Sequence, residues 1–188
     1  MRQIKLFWKG PYEFHQLIND DSIRKEYQVR GVYIWILHHK SDEKKELYYV
    51  GRASGKPNLW QRQWQHYKNY IGGIYDIPGE FRKSGEYWSN DVNDKTRNVI
   101  LDKRKFLELV SEAFDFTKYL KIFLCPLKEE DPQHIKIVER NLLYDLQPTG
   151  TTGGKESEPS NRLKISHRNA TWATEEIRRK LKERVVFL

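Results

Sequence analysis

From Gly31 to Leu37 the chain reads G-V-Y-I-W-I-L, a run of β-branched and aromatic residues that predicts a strand buried on at least one face. His38 to Lys45 is polar and suits a hairpin loop, and Glu46-Leu47-Tyr48-Tyr49-Val50-Gly51 predicts the returning strand. Ala53 to Asn58 is a loop broken by Gly55 and Pro57. A helix follows over Leu59 to Ile71, where Leu59, Trp60, Gln63, Trp64, Tyr67, Tyr70 and Ile71 fill an arc of about 140° and Gly72-Gly73 ends the run. Residues 74–98 form a polar connection dotted with Tyr75, Phe81, Tyr87 and Trp88, of a length that compact domains usually reserve for function. Ile100, Leu101, Leu107, Val110 and Phe114 predict a second helix over 99–114, and Tyr119 to Leu127 a third strand. Asp131-Pro132 opens a third helix that runs to about Gln147, stopped by Pro148. Thr149 to Ser160 is a Gly/Ser/Thr loop, and a basic helix over Thr174 to Arg184 precedes the apolar tail Val185–Leu188. In residues 1–30, Asn19-Asp20-Asp21-Ser22 reads as a turn or helix cap before Ile23–Val29.

The order predicts an α/β protein of the α+β sandwich type, with a small three-stranded mixed or antiparallel sheet flanked by helices. A single domain is expected. It comprises an N-terminal extension (1–29), a core (30–150) carrying the insert 74–98, and a C-terminal loop with a basic helix (151–188).

The chain has 188 residues and a net charge of +8, and its 38% hydrophobic content is too high for disorder. The longest apolar run, Val32 to Leu37, is too short to span a bilayer, and no signal-peptide core follows Met1, so a cytoplasmic protein is expected. Cys125 is alone, which excludes an internal disulfide and a cysteine-cluster zinc site, and its apolar neighbours predict a buried thiol. The charge, with 11 Tyr, 8 Phe and 6 Trp, is compatible with a polyanionic partner but equally with simple solubility.

Three groups of residues carry chemistry. Glu139 lies within about 60° of Ile135, Leu142, Leu143 and Leu146 on the third helix, so a carboxylate sits inside an apolar stripe. Such a carboxylate needs a cation or strong donors, and is either half of a structural ion pair or a metal ligand. Arg62 and His66 stand one turn apart on the first helix, where they are a solvated flank or a phosphate-binding fork beside a proton acceptor. Tyr33 and Tyr49 share a sheet face if the hairpin pairs them directly or two positions apart. Gly51 would let a helix or a substrate backbone approach closely.

Taken together, Gly31-Val32-Tyr33, Tyr49-Val50-Gly51, Arg62 in L-x-x-R-x-x-x-H and Glu139 in E-R-N-L-L-Y-D-L-Q-P resemble the GIY-YIG nuclease family over roughly residues 30–150. The resemblance implies a metal-dependent endonuclease that hydrolyses phosphodiester bonds in duplex DNA and leaves 5′-phosphate and 3′-hydroxyl ends. It implies that Glu139 holds one Mg²⁺ or Mn²⁺ and that Arg62 binds the phosphate. Tyr33 would contact or deprotonate the attacking water, His66 would draw off its proton, and Tyr49 would orient water or phosphate. A free phenol has a pKa of about 10, so Tyr33 needs such help or acts by positioning alone. The Arg-x-x-x-His step is most like the restriction endonuclease subset, a type II enzyme. The hairpin is longer than the family's usual spacing. The family's asparagine has no counterpart just after Pro148, and the next candidate is Asn161.

Sequence readout is expected outside this centre. Arg52, Lys68, Arg162, Lys164 and Arg168, with His167, are candidate DNA contacts, and the terminal Arg178, Arg179, Lys180, Lys182 and Arg184 read equally as a solvated face. Cutting both strands with one centre per chain would call for two subunits, as in a homodimer on a palindromic site, or for two binding events. Two other functions fit the same residues: a nuclease of repair, recombination or element mobility that nicks or cuts branched DNA, and an inactive nucleic-acid binder.

Overall fold

The computed structural model describes residues 2–40, 44–83, 102–150, 157–181 and 185–187. Strands β1 (Arg2–Phe7) and β2 (Lys9–Tyr12) are followed by short helices α1 (Phe14–Asn19) and α2 (Asp21–Glu26). The hairpin β3 (Gly31–His38) and β4 (Lys45–Ala53) leads into α3 (Leu59–Ile71) and a 3₁₀ turn (Gly79–Phe81). Then come α4 (Lys103–Thr117), β5 (Leu120–Pro126), α5 (Pro132–Leu146), β6 (Leu163–Arg168), α6 (Glu175–Leu181) and β7 (Val186–Phe187). Helices and sheets are mixed, as the sequence predicts.

Local chemistry fixes the helix ends. Asp20 caps α2 through Ser22 N at 2.8 Å and Ile23 N at 3.2 Å. Asn58 and Gln61 form a reciprocal capping box on α3, and Asp131 caps α5 through His134 N with Pro132 in the first turn. Helix α5 ends at Gln147, whose φ of 43° is left-handed. Helix α4 starts and ends three or four residues later than its apolar spacing predicts, and residues 99–101, 182–184 and most of the insert lie outside the described residues.

The expected three-stranded sheet is corrected to two sheets. Strands β3, β4 and β5 pair antiparallel, but β2 adds a fourth strand beside β5, giving the order β2-β5-β3-β4. A second sheet, β1-β6-β7, is parallel and joins the N-terminal segment to residues 163–168 and 186–187. Residues 1–29 are thus woven into both sheets. Pro11 disguises β2 as a turn, yet proline is tolerated on an edge strand. In β1 and β6 the buried residues Ile4, Leu6, Leu163 and Ile165 alternate with charged or polar ones, a period-2 signal that reads as a basic surface when each strand is taken alone.

The central sheet is covered on both faces. Val32, Ile34 and Ile36 point with Phe123 and Cys125 towards α5 and the second sheet. Tyr33, Trp35 and Leu37 point with Ile122 and Leu124 towards the side of α1, α3 and α4. Cys125 is buried, and desolvation pushes its thiol up to about 12. The ladder slips between Trp35 and Ile36, so that Trp35 pairs Tyr49 while Ile36 pairs Leu47. Tyr48 is the extra residue of a bulge, and it packs on the same side as Tyr49. Among the described residues no helix is long and apolar enough to cross a membrane.

Candidate active site

The hairpin register sets the first two side chains. Tyr33 pairs Gly51, and Trp35 pairs Tyr49, so Tyr33 and Tyr49 sit two positions apart on one face. Their rings stack with centroids 6.0 Å apart. The Tyr33 ring crosses over Gly51, where a Cβ would come within 2.4 Å of its Cζ and hydroxyl oxygen. Gly51 therefore makes room for the phenol of this chain itself, not for an incoming helix or substrate backbone.

Helix α3 supplies the partners. His66 Nε2 lies 2.6 Å from the Tyr33 hydroxyl, and His66 is only 2% exposed. Burial, reinforced by Tyr49, holds the Tyr33 phenol well above its usual value, with Arg62 opposing. Burial, then the Arg62 charge, pushes His66 down to about 3. Both groups are neutral at pH 7. Arg62 and the Tyr49 hydroxyl also engage the Tyr33 oxygen, so the Tyr33–His66 bond joins a neutral phenol and a neutral imidazole inside a shared network. Trp35 Nε1 donates to Gln63 Oε1 at 3.0 Å and locks the strand to the helix just below.

The neutral imidazoles make stability pH-dependent. In the second core, burial pushes His167 down to about 4, and its Nδ1 accepts from Trp8 Nε1 at 3.0 Å. Both folded values lie below the ordinary 6.5, so the unfolded chain binds protons first as pH falls. Stability is then level above about pH 7.5 and declines below it, by about 2 kcal/mol per histidine at pH 5. Urea unfolding at constant ionic strength should show a drop of roughly 4 kcal/mol from these two residues between pH 8 and pH 5. Histidine NMR signals for both that titrate within that range would contradict it.

Glu139 approaches around the edge strand. It projects from α5, flanked by the buried Ile135, Leu142 and Leu146, and its carboxylate is paired with Arg52 of β4. Arg52 supplies the cation that a carboxylate inside the apolar stripe calls for. Tyr33, Tyr49, Arg52, Arg62 and Glu139 line one cavity of about 270 Å³, closed at one end by residues 53–57. Among the described residues no group of three or more His, Cys, Asp or Glu side chains converges to hold a metal. The donor set, one carboxylate beside an arginine, fits only a hard cation that brings its own water and phosphate oxygens, as Mg²⁺ does.

The other expected residues fall elsewhere. Asn161 is absent from the cavity lining, and its backbone carbonyl accepts from Asn141 Nδ2 at 3.0 Å. Arg162 is engaged by Asp145 and Asn141 at 2.9 Å each and by Glu158 at 3.4 Å, which ties it to α5. His167 is buried, which removes it from the expected basic surface. Lys164 is exposed on β6, Arg168 is half-buried at its end, and Lys68 lies over the Trp64 ring on the outside of α3. Asn141 is a residue the sequence reading passes over. Two turns of α5 are clasped to the second sheet through its Oδ1, which accepts from Leu163 N and Arg162, and through Asp145. Its only sequence signal is a polar residue one position before the buried Leu142. No family model, curated protein or solved structure matches the chain.

Proposed function

We propose that the protein is a metal-dependent endonuclease acting on duplex DNA, of the GIY-YIG kind and closest to a type II restriction enzyme. The observation that carries this reading is one cavity that gathers Tyr33 and Tyr49 from the hairpin, Arg62 from α3 and Glu139 from α5, with His66 bonded to Tyr33 behind it. Arg62 is the fork that takes a non-bridging phosphate oxygen. Tyr33, held as a phenol, positions the attacking water through its hydroxyl oxygen, and His66 receives the phenolic proton when that oxygen accepts one from the water. Tyr49 fixes the orientation of the Tyr33 ring and faces the same phosphate. Glu139 would hold Mg²⁺ or Mn²⁺, which supplies charge neutralisation at the phosphate and the leaving oxygen. The products are a 5′-phosphate and a 3′-hydroxyl, and cleavage of both strands calls for two protomers on the DNA.

The Arg52–Glu139 pair makes the metal dependence specific. Arg52 already neutralises the carboxylate that a cation would use, so arginine and metal compete for Glu139. Arg52→Ala should lower the Mg²⁺ concentration for half-maximal cleavage roughly two- to fivefold, the worth of a part-exposed ion pair. An unchanged Mg²⁺ dependence would show that Arg52 leaves Glu139 at no cost. The same pair favours a second reading, nucleic-acid binding without hydrolysis, in which Arg52 never yields.

The deciding experiment is incubation of the purified protein with long duplex DNA in Mg²⁺ and in EDTA. Discrete fragments only in Mg²⁺ carry the proposal. A smear or nicked circles would move the assignment to a repair, recombination or mobility nuclease. Salt-sensitive binding with no cleavage would leave the binder.

A further inference from the structure

A second cavity, of about 560 Å³, shares Tyr49 with the first and is walled mainly by rings: Trp35, Tyr48, Tyr49, His66, Tyr70 and Tyr75. The bulge at Tyr48 turns two consecutive tyrosines to one side of β4, and so builds a wall that regular alternation would not. Ring centroids step around the cavity at 4.8 Å from Trp35 to Tyr49, 5.6 Å from Tyr49 to His66, 5.7 Å from His66 to Tyr75 and 5.1 Å from Tyr75 to Tyr70. Among the described residues, the buried His66 Nδ1 has no hydrogen-bond partner. A buried polar atom left unpaired is costly, and a complementary polar atom arriving in this cavity would relieve it. Among the described residues that line the cavity, the charged pair Asp76 and Arg82 neutralise each other, so this lining selects neither an anion nor a cation.

A flat, neutral, aromatic ligand with polar atoms on its edge meets all of these features. The volume lies in the range of small-molecule sites. The shared Tyr49 puts this ligand beside the cavity of Arg62 and Glu139, the adjacency that a nucleoside has to its own phosphate. We propose that the second cavity takes one unstacked nucleobase of the DNA strand whose phosphate lies at Arg62, a proposal that rests on the nuclease reading for its choice of DNA. The base stacks against Tyr75 and Tyr49, and a polar atom on its edge pairs with His66 Nδ1. Enzymes that withdraw a base from the stack read it by this combination of aromatic faces and edge hydrogen bonds.

The test uses a short single strand of DNA with 2-aminopurine at one position, in EDTA so that no cleavage occurs. Binding should quench the 2-aminopurine fluorescence. Tyr75→Ala should weaken binding about tenfold, within the 1–3 kcal/mol that one stacked base contributes, while Tyr75→Phe binds as the wild type does. A strand abasic at the same position should bind wild type and Tyr75→Ala equally weakly. Wild-type affinity for the abasic strand equal to that for the complete strand would overturn the proposal. So would saturation by free 2-aminopurine deoxyribonucleoside monophosphate at the same concentration as the strand, since the cavity would then serve a free nucleotide. Base-dependent binding without Mg²⁺-dependent cleavage of duplex DNA would keep the pocket and remove the hydrolase.

Discussion

Glu139→Gln is expected to abolish Mg²⁺-dependent cleavage, with a loss of roughly a thousandfold or more, while DNA binding survives. The size follows from the chemistry. Charge stabilisation at the phosphate and the leaving oxygen supplies several kcal/mol of the barrier reduction, and among the described residues Glu139 is the one carboxylate lining the cavity to anchor it. Glutamine keeps the shape and an oxygen but not the charge. DNA affinity should hold or rise, because removing the carboxylate frees Arg52 for a phosphate and withdraws a repulsive charge. The cost to folding should stay within about 1 kcal/mol, since Arg52 is about a third exposed (35%) and remains hydrated without its partner. A melting shift of more than a few degrees, with weakened DNA binding, would instead identify the pair as a structural support. Normal cleavage by the variant would end the assignment of Glu139 to the metal.

Gly51→Ala should also lower cleavage strongly, although Gly51 is not among the residues that line the cavity. The added Cβ would stand 2.4 Å from the Tyr33 Cζ and hydroxyl oxygen, inside contact distance of the ring that carries the chemistry. Tyr33 is 0% exposed and bounded by Tyr49, His66 and Trp35, so it cannot retreat without breaking its bond to His66. Overpacking of this kind costs about 1–3 kcal/mol of stability. The displaced hydroxyl should lower kcat by roughly a hundredfold, because positioning on this scale is worth that much. The double variant Gly51→Ala/Tyr33→Ala should be no slower and no less stable than Tyr33→Ala alone, because the clash disappears with the ring. A double variant much slower than Tyr33→Ala would place Gly51 against the substrate and not against the phenol.

The elements that build the cavity were legible in the sequence because their signals are local. The run Val32–Leu37 alternates between two buried faces, the Asn58 and Asp131 caps mark helix starts, and the apolar stripe around Glu139 exposes a charge that needs a partner. What escaped depends on partners distant along the chain. Arg52 looks free until α5 is laid against β4. The crossing of Tyr33 over Gly51 follows from a register that the bulge at Tyr48 shifts, and no spacing rule reveals a bulge inside a Tyr-Tyr pair. Strands β1 and β6 each show two apolar positions between basic ones, and only their pairing turns a charged surface into a sheet. Arg162 is the clearest case: its charge counted towards DNA, yet Asp145, Asn141 and Glu158 claim it.

The parallel pairing of β1 with β6 sets Arg2 beside Leu163 and Phe7 beside Arg168. During synthesis the first strand leaves the ribosome long before its neighbour exists, so the hairpin and α3 can settle while β1 waits without a partner. Loop closure over so great a separation is slow, and it comes after the local contacts are made. Helix α5, clasped to Leu163 through Asn141, gains its last anchor only at that closing step. Glu139 rides on α5, so the carboxylate is set beside Arg52 late in the life of the nascent chain, and a product truncated before residue 163 would lack the anchor that holds it there.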